Sequence, residues 1–170
     1  TGTSGFCAEG ATTPQYQAWV EFYPKPQSTY LGFVIHPGDV MQASVTYTPA
    51  THTFKAVLTD VTTGKSKSRS AVSTTDQRSS AECIAEAPSE INGILPLAQF
   101  TKAVFGTDNT AVAGSCFATI SGHNKGMGAF GAEVYEITMV QENNGAVHKA
   151  TPSSLTHSDS FSVTWNSAGP

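Results

Sequence analysis

No stretch of this chain sustains a helical period behind a capping box. Its apolar residues come in short alternating runs, most of them closed by Gly, Pro or Asn. A chain patterned this way buries its apolar atoms by pairing short antiparallel strands and stacking the sheets. The clearest runs are Tyr16–Tyr23, Val40–Tyr47, Thr53–Asp60, Glu133–Val140 and Phe161–Trp165. Further strands are expected at Thr3–Cys7, Thr29–Ile35, Ser66–Ser73, Ser79–Glu86, Lys102–Phe105, Ala111–Ile120 and Ala146–Lys149. Pro24–Ser28 is a loop, and turns fall at His36-Pro37-Gly38-Asp39, Thr63-Gly64 and Asn143-Asn144-Gly145. Asn92-Gly93 and Pro96 make Ile91–Phe100 a crossing loop. The expectation is all-β: one antiparallel β-sandwich domain over residues 1–170, with no repeat and no linker.

Composition narrows the class. Charged residues are 13% of 170, about half the usual share of roughly 25%. Thr, Ser, Gly and Ala fill the gap, which is the style of a secreted β-protein. A formal net charge of −4 offers no basic face for nucleic acid. The one cationic cluster, Lys65–Arg69, follows a turn and reads as an exposed hairpin arm. No apolar run approaches the ~20 residues of a membrane span, so no membrane partner is expected. No signal peptide opens the sequence, which suggests a mature or trimmed chain. Asn-x-Ser/Thr is absent, so no N-glycan is expected. Three cysteines, Cys7, Cys83 and Cys116, allow one disulfide with a free thiol or three reduced thiols.

Most motif-like features have bland readings. Gly126-Met-Gly128-Ala-Phe-Gly131 spells a dinucleotide fingerprint. That fingerprint needs a helix after it to receive the pyrophosphate, and here a strand is expected from Glu133, so a glycine loop is the better reading and no cofactor is called for. The five histidines lie far apart, mostly at turns, with no paired ligand spacing; no metal site is expected. No Gly-x-Ser-x-Gly elbow occurs.

Two stretches use their residues oddly. In Ser79–Glu86, alternation puts Glu82, Ile84 and Glu86 on one face, with Ala81, Cys83 and Ala85 on the other. In Tyr16–Tyr23, Gln17, Trp19, Glu21 and Tyr23 share one face, and Tyr16, Ala18, Val20 and Phe22 the other. The plain reading is two exposed strand faces with a half-buried aromatic patch. The functional one puts both faces into one groove, where carboxylates beside aromatics suit acid–base work.

At these stretches the sequence resembles a known family. Tyr16-Gln-Ala-Trp-Val-Glu-Phe-Tyr-Pro24 is similar to the Tyr-x-Ala-Trp-x-Glu-x-Tyr-Pro motif of the glutamic peptidases, the eqolisins of scytalidoglutamic and aspergilloglutamic type. Ser80-Ala-Glu-Cys-Ile-Ala-Glu86 resembles their Ala-Glu-aromatic-Ile-x-Glu strand. Weaker likeness follows at Ile35-His-Pro-Gly-Asp39 and Leu95-Pro-Leu-Ala-Gln-Phe100, in the family's order. The resemblance implies a sandwich of two large curved sheets and a secreted, metal-free endopeptidase working in acid on polypeptides. It implies that Glu86 is the catalytic Glu and that Trp19 and Glu21 line the groove, with Tyr23 as a further apolar wall.

Two departures stand out. Cys83 occupies a position that is usually aromatic. The family's catalytic Gln precedes a Thr-Gly pair, and here Thr1-Gly2 opens the sequence. Earlier family strands, with a groove Trp and Asp, have no counterpart. An omitted segment, a cleaved N-terminal chain or an inactive form would each account for this; Gln17 does not match the Gln position. The rival functions are a non-catalytic sandwich binding peptide or carbohydrate in the same groove, and a serine or metal hydrolase.

Overall fold

The structure, a computed structural model, describes residues 2–6, 15–87, 89–90, 93–105, 116–141 and 144–169. It divides into two compact units, Thr1–Arg78 and Ser79–Pro170. The all-β class is as expected: every strand pairing among the described residues is antiparallel. Helical turns in those residues are two 3-10 segments, Pro49–Thr51 and Met127–Glu133.

The first unit holds two three-stranded sheets. One orders β1 (Gly2–Phe6), β2 (Gln15–Val20) and β3 (Ser28–Thr29) side by side. The other is the meander β4 (Met41–Thr48), β5 (Thr53–Asp60) and β6 (Lys65–Val72). Alternation explains both: Ala18 and Val20 of β2 and Ala56 and Leu58 of β5 join one buried cluster with Tyr30 and Phe33. The β5–β6 turn is set by chemistry. Gly64 takes φ 70°, which costs a residue without Cβ nothing. The buried Asp60 carboxylate accepts from the Thr63 amide at 3.1 Å and from the Thr63 hydroxyl. That hydroxyl bond holds the Asp60 carboxyl below the usual range; burial pushes the other way, and the Thr63 and Thr62 amides and Lys65 add to the lowering. Lys65–Arg69 lies in β6 and is exposed, as a hairpin arm should be.

The second unit carries β7 (Ser89–Glu90) paired with β8 (Gly93–Ile94), and β9 (Lys102–Phe105). After it come β10 (Phe117–Ile120) paired with β11 (His123–Gly126), then β12 (Met139–Gln141), β13 (Asn144–Pro152) and β14 (Phe161–Trp165). The last three join β9 in a four-stranded sheet ordered β12-β13-β14-β9. Its core is Leu97, Ala150 and Val163, flanked by Phe100, Phe105, Phe161 and Trp165.

Several expected strands differ. Thr29–Ile35 pairs only at Ser28–Thr29, because Leu31-Gly32 turns the chain and Gly32 sits at φ 70°. The strand expected over Glu133–Val140 shrinks to Met139–Gln141, with Tyr135 82% and Ile137 71% exposed. Those side chains meet no core, so β-propensity alone does not create a ladder. Ser79–Glu86 joins no ladder among the described residues. Cys7 and residues 111–115 lie outside the described residues, as does Asn143 of the expected hairpin turn, though Gln141 pairs with Asn144 across it.

Candidate active site

In the first unit, β2 ends at Val20, and residues 21–22 continue extended to a turn in which the Lys25 amide donates to the Phe22 carbonyl at 3.0 Å. Ala18 and Val20 are buried, and Phe22 packs against their cluster. The opposite face is therefore set by anchoring rather than by preference. It presents half-buried Gln17 and Trp19, then exposed Glu21, then Tyr23 at 84% exposure. Trp19 is held on both sides, opposite Gly2 of β1 and Thr29 of β3. Tyr16 departs from the expected pattern: at 44% exposure it lies beyond the reach of the core that its strand covers. Tyr23 also borders a small open cleft with Pro24, Lys25, Phe54, Val72 and Asp76.

Glu86 belongs to the second unit. Exposure alternates along its segment as the sequence implies: Cys83, Ala85 and Ala87 are half-buried, and Glu82, Ile84 and Glu86 are exposed. Ala85 and Ala87 both pack against the Leu97–Ala150–Val163 core. The carboxylate between them must point away from that core, toward solvent. Cys83, three residues upstream, is bridged to Cys116 with Cα atoms 6.3 Å apart. The disulfide is the pairing that the cysteine count left open. Its one advance signal was the inward face that alternation assigned to Cys83.

Three of the sequence-predicted residues thus share one face of one unit, and the fourth is presented by the other. His36 and His52 make local contacts. The His36 amide donates to Asp39 Oδ2 at 2.7 Å in the expected turn, and Tyr47 Oη lies 2.9 Å from His52 Nδ1. The glycine motif is also structural, but not in the way expected. Gly126 closes β11, and a 3-10 segment follows it in place of a strand. A Cβ on Gly126 would lie 2.8 Å from the Ser158 carbonyl oxygen, and one on Gly128 would lie 2.9 Å from Leu155 Cδ1. Gly128 donates its amide to Ser158 O at 2.7 Å. These glycines are small so that the tip of the β13–β14 connection can seat against them.

Comparison with known proteins addresses the fold and family of this chain. The solved aspergilloglutamic peptidase of Aspergillus niger superposes on it with a TM-score of 0.71 at 22% identity, covering 96% of this chain and 86% of that one. The fold is therefore shared. Scytalidopepsin B of Scytalidium lignicola is 32% identical over 155 residues, covering 86% of this chain and 55% of that protein. The chain thus spans about half the length of the curated relative it matches. The family model described as the Peptidase A4 family matches residues 1–165, and the chain belongs to that family.

Proposed function

We propose that this chain carries the Glu-bearing part of an endopeptidase that hydrolyses polypeptides in acid without a metal. In this reading Glu86 is the catalytic carboxylate, and Trp19, Glu21 and Tyr23 are substrate-binding residues. Glu86 takes a proton from the attacking water and then returns one to the leaving amine. In the Glu/Gln dyad of this reading, a glutamine partner donates its amide N–H to the tetrahedral oxyanion. A neutral amide does this at any pH, which an ionised second carboxylate does not. With a reference Glu pKa near 4.3, a Glu base favours mild acid. Trp19 and Tyr23 supply apolar walls for a substrate side chain, and the Pro24–Ser28 loop that follows them would act as a flap. Such an enzyme would work outside the cell.

The observation that carries the reading is Glu86 itself. It stands in the family's Glu motif and is turned outward by two alanines anchored in the core. The test uses the full-length protein in an acid casein digestion, with and without chelator and serine reagent. Digestion that resists both, and that Glu86→Gln abolishes with folding intact, is the expected result. Activity of that variant at pH ~4, near the reference pKa, would exclude Glu86 as the catalyst. The 84% exposure of Tyr23 favours a second reading, a stacking platform in a groove that binds without cutting. Peptide binding by a wild type that digests nothing would select it.

A further inference from the structure

Among the described residues, the segment that carries Glu86 joins no ladder, and no backbone hydrogen bond ties residues 79–87 to a neighbour. Two kinds of attachment are seen among the described residues: the Ala85 and Ala87 methyls on the core, and the Cys83–Cys116 bond. The far end of that bond is firmly seated. Cys116 is 4% exposed. Its amide donates to Asp159 O at 3.0 Å, and its carbonyl accepts from the Met127 amide at 2.9 Å. Met127 lies between Gly126 and Gly128, whose lack of Cβ lets residues 155–159 close against them. Disulfide, β10 entry and glycine seam thus form one continuous brace ending three residues from the carboxylate.

We propose that the Cys83–Cys116 disulfide is the positioning bond of Glu86, doing covalently what strand pairing does elsewhere, so that its oxidation state governs the activity. Cys83 and Cys116 are positioning residues and touch no substrate. The activity half of this inference rests on the reading of Glu86 as catalyst; the positional half does not.

The test reduces the folded, full-length protein with a water-soluble trialkylphosphine in acid. The phosphine supplies two electrons and becomes its oxide with oxygen from water, and the two sulfurs leave as thiols. Backbone order parameters are then measured by NMR at Ala85 and Ala87, with Ala18 and Ala56 as references in the first unit. The expected result is a fall at Ala85 and Ala87 from about 0.85 to below about 0.6, with the references unchanged. Peptidase kcat should fall at least tenfold with KM within about twofold, since displacing a reacting group by ~1 Å costs on the order of a hundredfold. Reoxidation should restore both. A Cys83→Ala/Cys116→Ala variant should reproduce the reduced state and ignore phosphine. Unchanged order parameters on reduction would overturn the proposal, and so would loss of order throughout both units. If order falls at Ala85 and Ala87 while kcat holds, control of activity is refuted. If the oxidised wild type digests nothing, the peptidase reading fails, and the order parameters still decide the positional claim.

Discussion

Replacing Gly126 with Ala should destabilise the second unit, against the usual direction of such a change. Gly126 has φ −56° and ψ 142°, a backbone that alanine adopts freely. At a compatible position, Gly→Ala usually stabilises by about 0.4–1 kcal/mol, because the unfolded chain loses freedom. Here the new methyl would meet Ser158 O at 2.8 Å and Asp159 Cβ at 2.9 Å. The nearer atom is backbone, so a rotamer change cannot relieve the contact. Overpacking of this kind costs about 1–3 kcal/mol, leaving a net loss of about 1–2 kcal/mol. With a urea m-value of about 2 kcal/mol/M, the midpoint should fall by about 0.5–1 M. Gly145→Ala is the control. Nothing lies within 4 Å of its added Cβ, so it should be neutral or raise the midpoint slightly. Urea unfolding in a Trp19→Phe background leaves Trp165 as the sole indole, a reporter for the second unit. Equal midpoints for Gly126→Ala and Gly145→Ala would refute the packing argument and leave the glycine motif unexplained.

Two further changes test the first unit. Asp60 has a depressed folded pKa, so its contribution to stability is present above the unfolded value near 3.9 and is lost as pH falls through the folded one. Asp60→Asn should therefore be less stable than wild type at neutral pH, with the gap closing in strong acid; a gap that stays constant from pH ~7 to ~2 would sink this account. Tyr30 is buried, its hydroxyl meets no hydrogen-bond partner among the described residues, and burial pushes the phenol up while Arg69 pulls it down. Tyr30→Phe should be neutral or stabilising by up to about 1 kcal/mol in thermal unfolding, and a loss above about 2 kcal/mol would reveal a partner.

Much of this layout was legible in the sequence because alternation is a local property. It assigned Ala18, Val20 and Phe22 inward and Trp19 outward, and it put Cys83 and Ala85 opposite Glu86, all as found. The runs at Thr53–Asp60, Lys102–Phe105 and Phe161–Trp165 matched their strands end to end because each has partners along its length. Alternation does not say whether a neighbour exists. Ser79–Glu86 and Glu133–Val140 have strand-like residues but, among the described residues, lack partners for most or all of their length. The glycine motif was expected to be a loop before a strand; what the sequence hid is that the need for glycine comes from residues 155–159, about thirty positions later.

The same distinction decides what holds the catalytic candidate. Half-burying the Ala85 and Ala87 methyls contributes less than about 0.8 kcal/mol each, under roughly 1.6 kcal/mol together. Cysteines 33 residues apart close a loop whose entropy, removed from the unfolded chain, is worth about 4 kcal/mol in the chain-entropy account. The covalent term is the larger of the two, though it acts on the unfolded chain, and the bond itself is anchored three residues from Glu86. An outward-facing carboxylate gains no position from the solvent it faces. Its geometry must come from the attachments behind it, and here the strongest of these is a bond that a reductant can open.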